Sequence, residues 1–188
     1  SNAEDLYSVL FVYFLLKNCS WQKESIPFDI IPLFESMNGM KNSEFIMKEL
    51  YSIPEYRTHL KNRGDKQIIM LGFSDGTKDR GYLQANWSIF KTKEKLSQLS
   101  SEFNIKPIFF DGRGGPPARG GGKIHRFYAS QSGKIANHEM QLTVQGQTIS
   151  SKFGSKEHFK HHCEQIITAG ISQGLSKKEN IIAKQPRI

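Results

Sequence analysis

The sequence predicts an α/β fold built on a mostly parallel sheet, and three observations lead there. Stretches with helical and strand periodicity alternate along the chain. The clearest strands, residues 67–72 and 105–110, are apolar throughout, as befits strands covered on both faces. Each candidate strand also runs directly into polar residues, the arrangement of α/β folds that gather their chemistry at the carboxyl ends of strands.

The elements follow in order. Residues 5–17 place Leu6, Val9, Leu10, Tyr13, Phe14 and Leu16 at helical spacing. Residues 28–34 read as a strand ending at Glu35, and residues 43–51 as a helix. Ser52-Ile53-Pro54-Glu55 has the form of a capping box for a second helix. Residues 67–72 form the next strand, leading into Phe73-Ser74-Asp75-Gly76. Residues 81–103 form a long helix, with Leu83, Trp87, Phe90, Leu96 and Leu99 expected on one side. The strand at 105–110 runs into a glycine-rich loop, residues 139–144 alternate as a strand would, and residues 155–183 read as mostly helical. Trp21, Trp87 and the phenylalanines are assigned to the core.

With 188 residues, 37% of them hydrophobic, the chain can bury a core. A net charge of +8 favours anionic partners, although Lys177, Lys178, Lys184 and Arg187 concentrate part of it in a solvated tail. Cys19 and Cys163 make no disulfide framework, which suits a reducing, cytoplasmic setting. No apolar run reaches membrane-spanning length, and residues 10–16 lack the flanks of a signal peptide. Ser1-Asn2-Ala3 has the form of a cloning scar.

The loop from Asp111 to Lys123 holds six glycines, Arg113 and Arg119. Guanidinium forks match phosphate and carboxylate, and glycine lets backbone come close to a ligand. A P-loop is excluded, because Gly121 and Gly122 stand where Lys and Ser or Thr are required. An RGG-type nucleic-acid segment and a plain linker remain as competing readings. Glu35, Asp75, Lys78, Asp111, Arg113 and Arg119 all fall at strand ends. Two carboxylates with open water positions suit Mg²⁺ (or Mn²⁺), and the cations suit a phosphorylated acid. Taken singly, Glu35 is equally a helix-dipole or capping residue, and Asp75 an Asx-turn with Gly76. His158, His161, His162 and Cys163 span more than one helix face and read as a solvated face rather than a zinc site.

Residues 70–81, Met-Leu-Gly-Phe-Ser-Asp-Gly-Thr-Lys-Asp-Arg-Gly, resemble the G-Y-S-D-S-x-K-D-x-G motif of phosphoenolpyruvate carboxylases. Residues 110–121 resemble that family's F-H-G-R-G-G-[ST]-x-x-R-G-G loop, and residues 32–36 its P-L-F-E-T. Weaker likeness runs from Ser1-Asn2-Ala3, near S-M-A, to residues 143–147 and Phe153-Gly154, near T-E-Q-G-E and K-Y-G. The likeness covers roughly residues 1–155 of what would be a fragment of a much longer enzyme.

The resemblance implies part of a (β/α)₈ barrel over residues 1–155, followed by a helical segment and basic tail over 156–188. It implies Glu35 and Asp75 as divalent-metal ligands and Lys78 near bicarbonate. It further implies Arg113 at the substrate phosphate, with Gly114 and Gly115 beside it. Arg119 would belong to the mobile loop, where an aspartate-type inhibitor also binds. The implied reaction converts phosphoenolpyruvate and bicarbonate to oxaloacetate and phosphate in a homo-oligomeric parent, tetrameric in the family, without nucleic acid or membrane. Asp111 departs from the pattern, standing where the family has histidine. It is counted among the catalytic candidates and expected to pair with Arg113 or Arg119. Val144 and Gln147 replace two family glutamates. Two other readings stand beside this one: an anion- or nucleic-acid-binding module, and an inactive or altered homologue.

Overall fold

A computed structural model describes residues 26–73, 81–113, 122–135, 139–144 and 146–182, together with positions 8, 10, 11, 14 and 18 of an N-terminal helix. Four strands make one parallel sheet: β1 (Leu33–Phe34), β2 (Lys66–Gly72), β3 (Lys106–Gly112) and β4 (Met140–Leu142). Their spatial order is their chain order. Helices α1 (Met37–Ser52) and α2 (Pro54–Asn62) join β1 to β2, and α3 (Tyr82–Glu102) lies between β2 and β3. Helix α4 (Ile124–Ala129) precedes β4, and α5 (Gly146–Phe153) and α6 (Lys156–Ile182) follow it. This is the α/β class expected, each pair of neighbouring strands being joined through one or more helices.

The first strand is shorter than its apolar run. Pro32 has no N–H to give a ladder, so pairing starts where its carbonyl accepts from Met70 N, at 2.9 Å. It then continues only through Leu33 and Phe34. Upstream, the segment is tied by side chains instead. Buried Gln67 donates to Ile30 O at 2.9 Å and accepts from Tyr56 Oη at 2.7 Å.

Helix α1 begins six residues earlier than expected, because Ser36 caps it, accepting from Gly39 N at 3.0 Å. Its buried stripe, Met40, Ser43, Ile46, Met47, Leu50 and Tyr51, has the 3–4 residue spacing of one face. The capping box at residues 52–55 does not form. Ser52 is the last residue of α1 and donates to Lys48 O, while α2 starts at Pro54, whose missing N–H costs nothing at N1.

The apolar face expected for α3 is also corrected. Leu83 is 83% and Trp87 59% exposed, so Trp87 is not core; it stacks on Phe90 at a centroid distance of 5.7 Å. Phe45 and Phe159 are likewise exposed. The buried face of α3 runs through Ala85, Ile89, Thr92, Lys93, Leu96, Leu99 and Ser100. Polar members hide this face from a hydrophobicity reading. Ser100 earns its place by a 3.1 Å hydrogen bond with buried Tyr51. The principal core gathers Phe34, Met47, Leu50, Tyr56, Ile69, Leu71, Phe73, Ile89, Leu96 and Phe109 between sheet and helices. A second cluster, Ile124, Tyr128 and Ala169, seats α4 on α6.

Candidate active site

Parallel pairing puts the carboxyl ends of all four strands on one edge. Phe34 pairs with Leu71, Leu71 with Asp111 and Asp111 with Leu142, while Gly72 pairs with Gly112. One step past the end of β1, Glu35 lies against Gly72. A Cβ added to Gly72 would meet the Glu35 Cβ and stand 3.1 Å from its Cα. Gly72 therefore gives Glu35 its place at the strand end, where the side chain is exposed. An exposed carboxylate on this edge is a hard oxygen donor of the kind a divalent cation takes alongside water, so the residue present fits that group.

Arg113, just beyond β3, is only 3% exposed. Its guanidinium carbon lies 4.0 Å from the centre of the Phe127 ring and 5.1 Å from that of Phe73. The rings hold the planar group by cation–π attraction. Nη1 and Nη2 reach Asn86 Oδ1 at 3.4 Å and Tyr82 Oη at 3.5 Å, the long limit for hydrogen bonds. Gly122, at φ +141°, brings the far end of the glycine loop to the same place: a Cβ there would lie 3.4 Å from Arg113 Nη2. Lys152 of α5 donates to Gly122 O at 3.1 Å. Both ends of the loop thus meet beside Arg113 and the start of α3. Asp75, Lys78, Gly114, Gly115 and Arg119 lie outside the described residues.

Asp111 does not pair as expected. Its side chain is fully buried and turned toward α3 and α4, not toward Glu35. Lys93 Nζ lies 2.7 Å from Oδ1 and 2.8 Å from Oδ2, and Tyr128 Oη donates to Oδ2 at 2.9 Å. The backbone carbonyl of Asp111 accepts from Thr143 N at 3.1 Å. The reason is strand alternation: Phe109 and Asp111 share the helix-facing side of β3, and Lys93 sits over the Phe109 ring at 5.3 Å. Burial draws the Lys93 ammonium below the usual lysine range, against the opposing pull of Asp111. Burial, then the Asp111 carboxylate, pushes the Tyr128 hydroxyl well up. Arg113 acts electrostatically on both groups.

Lys93, Tyr128, Asn86 and Tyr82 were not among the residues singled out from sequence. Lys93 did carry a signal, being a lysine in step with Ile89 and Leu96 on an otherwise buried stripe. Tyr128 carried none. On α6 the His161 and His162 rings lie 5.5 Å apart, and His162 is 5.6 Å from Phe153. Burial, then His161 and Lys152, lowers the pKa of His162. Among the described residues, no group of three or more His, Cys, Asp or Glu is placed to hold a metal ion, and no helix is long and apolar enough to cross a membrane.

Known proteins match this sequence. The family model for phosphoenolpyruvate carboxylase matches residues 1–185, well past the last motif at Gly154. A phosphoenolpyruvate carboxylase of Corynebacterium diphtheriae is 39% identical over 81% of this chain and 17% of its own length. One from Nitrosomonas eutropha is 35% identical over 85% of the chain and 17% of its own length. One from Ralstonia nicotianae is 37% identical over 80% of the chain and 15% of its own length. The chain therefore spans less than a fifth of these relatives. With its sequence matched almost throughout, the chain belongs to the phosphoenolpyruvate carboxylase family.

Proposed function

We propose that the intact polypeptide containing this chain carboxylates phosphoenolpyruvate with bicarbonate, giving oxaloacetate and phosphate. The observation that carries this reading is the shared strand-end edge, which sets Glu35, Gly72 and Gly112 in one row with Arg113 next to it. Family membership supplies the reaction class.

Glu35 and Asp75 would hold Mg²⁺ or Mn²⁺. When bound, the cation supplies positive charge to substrate oxygens as negative charge develops on them. Arg113, stiffened between Phe73 and Phe127, would grip the substrate phosphate with a fork whose direction is fixed before binding. Lys78 would attract bicarbonate. The phosphoryl group passes from phosphoenolpyruvate to a bicarbonate oxygen, leaving an enolate and carboxyphosphate. Carboxyphosphate breaks into CO₂ and phosphate, and the enolate carbon bonds to CO₂. Arg119, Gly114 and Gly115 would cover these species from water, which otherwise protonates the enolate. The aspartate-type inhibitor would bind near Arg119. The parent would close its sheet into a (β/α)₈ barrel, assemble as a homo-oligomer and work in the cytoplasm.

The test is bicarbonate-dependent oxaloacetate formation by the full-length parent, followed by coupled reduction to malate. Asp75→Ala, Glu35→Gln and Arg113→Ala should each lower kcat/KM by about a hundredfold or more in folded protein, the scale of losing a charge-stabilising group. A folded parent that binds Mg²⁺ and phosphoenolpyruvate yet makes no oxaloacetate would leave the family name as ancestry only. The 188-residue chain by itself should be inactive; oxaloacetate produced by it would contradict that expectation.

A further inference from the structure

The geometry points to Lys93 and Tyr128 as positioning residues that allow a carboxylate at residue 111 beside a phosphate-gripping Arg113. The inference rests on the substrate-binding role proposed above for Arg113.

Asp111, Lys93, Tyr128, Phe127 and Arg113 form one contiguous cluster. Lys93 from α3 lies within ion-pair distance of both oxygens of the Asp111 carboxylate, and it and Tyr128 from α4 donate to Oδ2. Lys93 Nζ lies 5.0 Å and the Arg113 guanidinium carbon 4.0 Å from the centre of one ring, Phe127. A lone buried carboxylate two residues from Arg113 would act in two harmful ways. It would compete with an incoming phosphate for the guanidinium, and it would repel that phosphate directly. The ammonium of Lys93 cancels the added charge at a distance of one hydrogen bond, and Tyr128 fixes the carboxylate toward the helices. The groups facing Asp111 are thus the ammonium of Lys93 from α3 and the titratable hydroxyl of Tyr128 from α4, with Arg113, just beyond β3, acting electrostatically on both. None of the three needs to touch substrate except Arg113.

A role in holding phosphate differs from a role in stability by its signs. Lys93→Met leaves one negative charge too many, Asp111→Asn one positive charge too many, and the double variant is balanced again. Calorimetric titration of the full-length parent with phosphoenolpyruvate and Mg²⁺, bicarbonate omitted, reads this directly. Lys93→Met should weaken phosphoenolpyruvate binding about tenfold, the scale of one unscreened charge at this range. Asp111→Asn should bind at least as tightly as wild type, and Lys93→Met/Asp111→Asn should return within about threefold of it. Tyr128→Phe, which keeps the ring packing, should weaken binding about threefold, as expected from loss of one charge-assisted hydrogen bond. Should Lys93→Met fail to fold, Asp111→Asn and the double variant still decide, since Asp111→Asn binding more weakly than the double variant overturns the inference. Equal affinity of all folded variants also overturns it, leaving the cluster as a packing device. A wild-type parent that does not bind phosphoenolpyruvate removes the functional reading itself, and this inference with it.

Discussion

At the scale of single residues, Gly72 and His59 show how narrowly positions are set. Gly72 is the only residue type that fits against Glu35, because any Cβ there meets that side chain. Gly72→Ala should destabilise the chain by about 1–3 kcal/mol, the cost of overpacking, in urea denaturation. It should also displace Glu35, raising the Mg²⁺ concentration needed to activate the parent. His59 is buried on α2, 6.0 Å from the Tyr56 ring. Burial, then the nearby Arg63 cation, lowers its pKa, with Asp29 opposing. A histidine held neutral in the fold takes up a proton more readily once unfolded. Its contribution to stability is therefore complete above the ordinary histidine range and is lost as pH falls through the folded value. His59→Gln should flatten the decline in stability between about pH 7 and 5, the window around the unfolded histidine pKa. Equal pH slopes for wild type and variant would count against this. The strand-end positions of Glu35 and Arg113 were legible in sequence, since each lies just past an apolar run. The partner of Asp111 was not, because contact between residues 93, 111 and 128 depends on how two helices dock onto β3.

At the scale of elements, β2, β3 and the long α3 follow from apolar runs and helical period. What periodicity does not settle is which face of a helix is buried when small or polar residues line it. Helix α3 has large apolar groups on its outer side, while Thr92, Lys93, Ser97 and Ser100 lie inside. The two faces predict opposite responses. Ile89→Ala should cost about 2–5 kcal/mol by opening a cavity, whereas Leu83→Ala should change stability by about 0.5 kcal/mol or less. Denaturation midpoints of the two variants check this, and comparable losses would mean that the outer face is covered. The shortened β1 has a different cause. A proline inside an apolar run withdraws one donor, so a segment that reads as seven residues of strand contributes two.

At the scale of the whole molecule, the described strands run in chain order from β1 to β4, and apolar groups remain exposed on the helices around them. Leu83 and Trp87 on α3 and Phe159, Ile167 and Ile171 on α6 are all exposed. A chain that spans less than a fifth of its relatives lacks most of the polypeptide they fold with. The 188-residue chain should therefore bind an apolar dye more strongly than the intact parent, and should associate as its concentration rises. Dye fluorescence and sedimentation of the two proteins test this. Dye binding no greater in the fragment than in the parent would show these faces to be open in both.

The buried pair of Lys93 and Asp111 also bears on descent. Removing one partner of a buried ion pair costs about 3–5 kcal/mol, whereas exchanging both for neutral groups is often harmless. A lineage holding this pair loses stability at either single step away from it. The two positions should thus be inherited as one character, with acid at 111 accompanied by lysine at 93 wherever the acid occurs.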